Sequence, residues 1–495
     1  MTRPRATRSS HTHFQSAGRL LRGPLWWARL GATAGLGVLA VVWLARPRVA
    51  GDTPFVWDGT NAFIDCLSRS DFIGCRHSGE LDYWGLTSPI GDWPLLQHIP
   101  DLIAIGFGAE AHHTRELVFV CLSVAGIIAS VVLARVTLIR TGQAAWFWGF
   151  LLTVLSGPLI VYGGTTAGEA LATGLLVLLV AATALRWPPP LIAVAALAAC
   201  LTKETSYPFV VAIGVLGLML AKGRTGSPIR RHLAWGAGGV AIGVGLASLF
   251  NLVRFGSVLN TNYLEPQLRT PGLERPLEYS LALLVSPNGG IVVYWPAATA
   301  LVLTACLLPL AFRSGRHLDI RPALVLIGVM GALTLGFASW WDIFGNGYGP
   351  RLTLPWVLPV VLIALVAYGE SLRDLALRIL APLWRLLLTF AAVLTFALPH
   401  VGHLWDPSTT ATFAQSKQPP CDAPWRGGVA EFHACQHDLL WFNYRPRPLY
   451  SIEGVATAGG AVTSVVLAFA LFCCLVLLRN RLLSSRDDAL NDRPT

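Results

Sequence analysis

The chain has little charge. Only 13% of its 495 residues are Asp, Glu, Lys or Arg, against roughly 25% in a typical soluble domain, and this excludes a water-soluble globular enzyme. Lysine is scarcer still, found only at Lys203, Lys222 and Lys417. The basic side chains are therefore almost all Arg, a bias that points to a GC-rich, bacterial genome. No internal repeat is visible, which argues against the two-halved architecture of many transporters. Cys and His do not fall at zinc-motif spacing, so a zinc site built from His77, His433 or His437 is disfavoured. With 54% hydrophobic residues and a mean hydropathy of +0.56, the chain has no room for a large soluble domain.

Apolar runs of membrane length fall at about 30–46, 116–134, 143–163, 168–185, 189–202, 208–221, 233–252, 290–312, 322–340, 352–369, 383–399 and 454–478. They predict an all-α polytopic membrane protein of about 12 transmembrane helices with both termini on one side. Alternating the loops across the membrane gives the terminal side about 23 basic and about 6 acidic residues, so the positive-inside rule makes the N and C termini cytoplasmic. The net charge of +10 is explained by this topology and calls for no nucleic acid. A cleaved signal peptide over the first run is the rival. Arg46 and Arg48 suit a cleavage region poorly, and losing that run would place the termini on opposite sides. The expected organisation is a basic cytoplasmic tail at 1–29, a transmembrane core at 30–399 that includes a large exterior loop at 47–115, a second exterior loop at 400–452, and a last helix with a cytoplasmic tail at 453–495.

Five cysteines, Cys121, Cys200, Cys306, Cys473 and Cys474, fall inside apolar runs, where a thiol is a small apolar group. The other four fall as close pairs in the exterior loops, and pairs in an oxidising compartment predict the disulfides Cys66–Cys75 and Cys421–Cys435.

In the first exterior loop, Asp58 and Gly59 can start a short helix that brings Phe63, Ile64 and Leu67 to one face, suited to lying on the membrane surface. Lys203-Glu204 joins two unusually short runs, so this turn is expected below the membrane surface. Arg254 and Tyr263 lie at and beyond the end of the seventh run, with snorkelling to headgroups the plain alternative for Arg254. Arg351 follows Gly349-Pro350. Ionisable groups at such depths are costly, and those retained often line a cavity. Glu169 reads as N-terminal capping of the fourth run, and Trp295, Trp340 and Trp341 read as interfacial belt.

The stretches "DWPLLQHIP" (92–100), "FNLVRFGSVLNTNY" (250–263), "SPNGGIVVYWP" (286–296) and "GNGYGPRLTLPWVLP" (345–359), with an early Asp in a big first exterior loop, resemble the GT-C superfamily of integral-membrane glycosyltransferases over about residues 30–370. Within that superfamily the pattern is closest to polyprenyl-phosphate-sugar-dependent enzymes of the dolichyl-phosphate-mannose-protein mannosyltransferase type. The resemblance implies a lipid-linked sugar donor, transfer to an acceptor on the exterior face of a bacterial cytoplasmic membrane, and a catalytic acid in the first loop. A D-x-x-x-Y/F-x-x-x-A type pattern falls on Asp58 with Phe63 and Cys66 displaced, which leaves Asp52 as a rival.

Such transfer needs a base for the acceptor hydroxyl and cations for the departing phosphate. Asp58 or Asp52 would supply the first, and Arg351, Arg254 and Lys203 the second. Asp92, Glu204, Tyr263 and Tyr348 are the further substrate-binding candidates. No cofactor follows from these residues, and a divalent metal on Asp58 and Asp92 stays open. The expected partners are the lipid-linked donor and membrane lipids. A twelve-helix transporter or flippase and a surface-polysaccharide polymerase or ligase are the alternatives, the latter favoured by a late loop such as 400–452.

Overall fold

The computed structural model describes residues 25–48, 53–69, 90–91, 94–108, 111–203, 207–221, 229–260, 269–270, 272–287, 289–311, 319–339, 351–406, 430–431, 433–435, 437 and 453–491. These are helical apart from turns, irregular stretches and isolated bridge residues, among them the pair Arg48 and Thr165. In chain order the α-helices are α1 (Leu25–Ala45), α2 (Thr53–Ser68), α3 (Leu95–Gly106), α4 (His112–Arg140), α5 (Phe147–Leu155), α6 (Leu159–Tyr162), α7 (Glu169–Ala184), α8 (Pro189–Cys200) and α9 (Tyr207–Leu220). They continue with α10 (Ile229–Phe255), α11 (Glu274–Val285), α12 (Ile291–Tyr294), α13 (Pro296–Ala311), α14 (Arg321–Ala338), α15 (Leu354–Leu380), α16 (Leu383–Trp405) and α17 (Ala458–Asn491).

Among the described residues each apolar run contains helix, but the helices are not equal in length. Seven of them, α1, α4, α10, α14, α15, α16 and α17, are long and apolar enough to cross a membrane. The run at 143–163 breaks into α5 and α6, and that at 290–312 into α12 and α13. Helices α7, α8 and α9 have 16, 12 and 14 residues. At 1.5 Å per residue the 12 residues of α8 cover about 18 Å of a roughly 30 Å hydrocarbon core. The turn between α8 and α9 therefore reaches into the protein, and its Leu201 and Thr202 are buried.

Helix α15 lies at the centre: all twelve residues from Leu354 to Leu365 are buried, as expected of a helix that is apolar all round. Outer helices carry large apolar side chains to their surroundings, among them Val132, Leu249 and Val465 at 54%, 58% and 69% exposure. This is the pattern of a chain solvated by lipid. Three buried indoles are tied to backbone carbonyls. Trp43 Nε1 donates to Ile160 O at 2.8 Å, Trp146 Nε1 to Gly369 O at 2.8 Å and Trp295 Nε1 to Thr153 O at 2.7 Å. Trp295 is fully buried, which corrects its reading as an interfacial residue: an indole in the core needs one acceptor, and Thr153 provides it.

In lipid, helices gain little from the hydrophobic effect and associate through close backbone approach. Small residues set the seams. Gly31 and Gly35 on α1 face Phe469 and Ala470 of α17, and a Cβ at Gly35 would stand 2.4 Å from that of Ala470. Gly239 and Gly243 on α10 lie against α8, where a Cβ at Gly239 would meet Ala193 O at 2.1 Å, while Gly238 faces open space. Gly239→Ala should therefore lower the thermal midpoint of the detergent-solubilised protein, by the roughly 1–3 kcal/mol of an overpacked core. Gly238→Ala should raise it slightly through helix propensity. Equal effects of the two variants would refute this seam.

Candidate active site

The polar centre of the molecule surrounds the start of α3. Pro94, extended at φ −64° and ψ 153°, sets the helix entry. Gly91 has φ 77°, a left-handed conformation that favours glycine. The Leu96 amide donates to Leu201 O at 3.2 Å, and Leu96, Ala172 and Leu201 pack as one small core, which brings α3, α7 and the turn after α8 together.

On this framework Gln97 packs against Gly168, where a Cβ would meet Gln97 Cγ at 3.0 Å. The next residue, Glu169, opens α7 and accepts from Arg351 Nε at 2.6 Å on one carboxylate oxygen. Glu169 and Arg351 are 8% and 6% exposed. Glu169 Oε2 and Gln97 Oε1 are both buried with no hydrogen-bond partner among the described residues. A buried acceptor left open costs about 1–3 kcal/mol, so this neighbourhood is suited to a ligand that brings hydroxyl or ammonium donors.

The segment before α7 is bound to the strand-like exit from α1. Arg48 N–H donates to Gly164 O at 2.8 Å and Thr166 N–H to Arg48 O at 2.9 Å. The Thr53 and Thr166 hydroxyls hydrogen-bond to each other. Burial, aided by Arg46 and opposed by Asp406, pulls the Arg48 guanidinium down to about 10. It still stays charged at neutral pH.

The three predicted cations are all described. Arg351 is committed to Glu169. Arg254 is fully buried, which overturns the snorkelling alternative. Its guanidinium donates to Asn251 Oδ1 through Nε at 2.9 Å and Nη2 at 2.6 Å, and to Gly91 O through Nη1 at 3.3 Å. It also lies over the Phe250 and Phe255 rings, within 4.7 and 4.6 Å of their centroids. Lys203 is half-buried at the turn after α8, its ammonium 4.6 Å from the Phe337 ring centre.

Helix α2 differs from expectation. It begins at Thr53, five residues earlier than the Asp58-Gly59 start, because Thr53-Pro54 supplies a Pro preset for the first helical turn. Asp58 thus lies within the helix and is exposed, with no hydrogen bond or ion pair among the described residues. Nor does α2 simply offer Phe63, Ile64 and Leu67 to the membrane. Phe63 stacks edge-on against Phe250 with ring centres 5.2 Å apart, and Gly59 touches the backbone at Ile90, where a Cβ would meet Ile90 O at 2.4 Å. Asp52, Asp92, Glu204, Tyr263 and Tyr348 lie outside the described residues, as do Trp340 and Trp341. Among the described residues no three His, Cys, Asp or Glu side chains converge as metal ligands.

Sequence reasoning missed two buried pairings under α2. Asp101 and Arg115 form a two-pronged ion pair, 2% and 4% exposed. Arg115 Nη2 also approaches Trp57 O at 3.5 Å and Asn61 Oδ1 at 3.4 Å, fastening α2 and α3 to α4. His98, fully buried, holds Thr60 Oγ1 with Nδ1 at 2.9 Å. The available signal was a charge inside the apolar stretch 101–108.

The described part of the second loop docks on α11. Tyr279 Oη meets His433 Nδ1 at 2.7 Å, and Glu278 pairs with His437 and, at 2.8 Å, with Arg275. Burial first, and then the charge of Arg275, push the His433 imidazole down to about 4 against the pull of Glu278. An unfolded histidine titrates near 6.5, so as pH falls from about 6.5 towards 4 the undocked state takes up the proton first and docking weakens. Protection of the amides at 430–437, measured as exchange relative to the intrinsic rate at each pH, should therefore be high at pH 7.5 and lower at pH 4.5, and His433→Phe should flatten that dependence. A pH-independent pattern in the native chain would contradict it.

Cys121, Cys200, Cys306, Cys473 and Cys474 are free thiols, as expected of the apolar runs. Cys66 and Cys435 are disulfide-bonded. Cys75 and Cys421 lie outside the described residues.

No protein-family profile matches the chain, and no curated protein matches it. Among solved structures, ArnT from Cupriavidus metallidurans bound to undecaprenyl phosphate aligns over 94% of this chain and 80% of its own, at 16% identity and a TM-score of 0.44. The same protein in the apo state aligns over 93% and 79%, again at 16% and 0.44. At that TM-score no functional assignment rests on the likeness.

Proposed function

We propose that this chain is a membrane glycosyltransferase of the GT-C type, moving a sugar from a polyprenyl-phosphate donor to an acceptor on the exterior face of a bacterial cytoplasmic membrane. The observation that carries the reading is the buried Glu169–Arg351 pair beside two open acceptors, Glu169 Oε2 and Gln97 Oε1. Sugar hydroxyls are donors suited to those acceptors. Arg351, Lys203 and Arg254 are cations of the kind that bind a phosphate leaving group.

In this reading Glu169 holds the Arg351 guanidinium in place and takes a sugar hydroxyl on its second oxygen. Asp58 is the base that removes the acceptor proton, with Asp52 its rival. Asp92, Glu204, Tyr263 and Tyr348 complete the substrate contacts. Twelve helical passes with cytoplasmic termini put the 47–115 and 400–452 segments outside, and there Cys66–Cys75 and Cys421–Cys435 form the disulfides. Peptide mapping without reductant is expected to recover those two pairs, and a Cys66–Cys435 link would overturn them.

The direct test is purified protein with a polyprenyl-phosphate sugar and a mixture of envelope acceptors. Release of free polyprenyl phosphate that requires acceptor and the intact Arg351 is expected. Release in neither the presence nor the absence of acceptor, from protein that binds the donor, would count against transferase activity.

A further inference from the structure

Some 20 residues along α4 from Arg115, about 30 Å at 1.5 Å per residue, α1, α4 and α17, together with the start of α5, line a half-open cavity of about 390 Å³. This is the end of the bundle that carries the first helix's start and the last helix's finish. Each of the three helices contributes one arginine to the lining: Arg29, Arg135 and Arg481. None of the three forms an ion pair with a carboxylate among the described residues. Arg135 instead lies over the Phe147 ring, 5.6 Å from its centre. Three like charges brought to one cavity repel one another, and an anion placed among them removes that cost. Guanidinium groups suit phosphate oxygens in particular.

The rest of the lining is not that of a soluble anion site. Trp26 and Trp148 share the cavity with Leu30 and Ile139, which are 49% and 51% exposed. From Ile139 an apolar stripe runs back along α4 through Val136, Val132 and Ile128, exposed by 40%, 54% and 40%. These residues recur at helical spacing and continue from the cavity mouth towards the middle of the helix. Phosphate-binding groups at a tryptophan-rich helix end, joined to an apolar track of this length, match one ligand chemistry, a phosphate on an acyl chain.

We propose that Arg29, Arg135 and Arg481 bind the phosphate headgroup of an anionic membrane phospholipid whose acyl chain lies along α4. The site is separate from the Glu169–Arg351 cluster and does not depend on the transferase reading.

The test uses the full chain, purified in detergent and exchanged extensively. Extracted lipid is measured by mass spectrometry, and heat stability is read with added phosphatidylglycerol, phosphatidylcholine or inorganic phosphate. Wild type is expected to retain phosphatidylglycerol in about a one-to-one ratio and to be stabilised by it but not by phosphatidylcholine. Arg29→Gln/Arg135→Gln/Arg481→Gln should retain at least tenfold less. Arg135→Gln alone, at an exposed position, should lose a measurable part and serves if the triple variant does not fold. Equal retention by wild type and variants would overturn the site, as would equal stabilisation by the two phospholipids. Stabilisation by inorganic phosphate as strong as by phosphatidylglycerol would replace the lipid with a free phosphate.

Discussion

Replacing Arg351 with Gln is expected to abolish sugar transfer and to destabilise the protein, while the double variant Glu169→Gln/Arg351→Gln should recover stability without recovering transfer. The pair is nearly fully buried, with Arg351 Nε 2.6 Å from Glu169 Oε1. Removing one partner strands the other charge in a low-dielectric interior, which typically costs about 3–5 kcal/mol, whereas removing both leaves two neutral side chains close to each other. A purely structural ion pair predicts that the double variant regains both properties. A pair that also grips the donor phosphate predicts that activity stays lost, since removing one electrostatic donor to a developing charge costs about 10²–10³ in turnover. Arg351→Lys gives an intermediate test. It keeps the charge opposite Glu169 and loses the planar fork, so stability should fall less than with Gln while transfer still falls steeply. Thermal midpoint and transfer rate measured on the same four proteins separate the two outcomes. Normal transfer in the folded double variant would remove Arg351 from the donor site.

That pair also shows where sequence reasoning reached and where it stopped. Arg351 was visible because a cation after Gly349-Pro350, ahead of an apolar helix, has few reasons to be there. Glu169 looked like an ordinary first-turn acid, and nothing local distinguishes a capping carboxylate from one that crosses 182 residues of chain to meet an arginine. The apolar helices, seven of them long enough to cross a membrane, were legible because lipid exposure makes hydropathy a direct readout of helix position. The shortness of α8 and α9 was legible too, since their apolar runs are unusually short, but the hydrogen bond that ties Leu201, in the turn between them, to α3 is set by tertiary packing. Arg254 was misjudged in its alternative for a related reason. A snorkelling arginine and one chelated by Asn251 three residues earlier have the same sequence neighbourhood, and only the approach of Gly91 separates them. Asp101 escaped notice within its apolar run because its partner, Arg115, is fourteen residues on, across a helix boundary.

The remaining large effect concerns the base. Asp58→Asn is expected to lower transfer at least about 10²-fold, the lower end of what general-base catalysis contributes, with donor binding and folding unchanged. Its carboxylate is exposed and has no partner among the described residues, so the isosteric amide removes a proton acceptor and breaks no contact there. Folding should be indifferent for that reason, and any loss of rate can be assigned to chemistry. Asp52 has the opposite setting in the chain. In sequence it directly precedes Thr53, whose hydroxyl is joined to Thr166 three residues before Glu169. If the acceptor enters along the segment joining α1 to α2, the rate loss will therefore fall on Asp52→Asn instead. A base must come within hydrogen-bond reach of the hydroxyl it deprotonates, and Asp58 satisfies that only for an acceptor approaching from the exposed side of α2. Transfer rates of both variants at saturating donor, with donor affinity measured separately, decide between these two approaches. Loss confined to Asp58→Asn supports entry over α2, loss confined to Asp52→Asn reverses the assignment, and full activity in both would remove the first-loop carboxylates from the reaction.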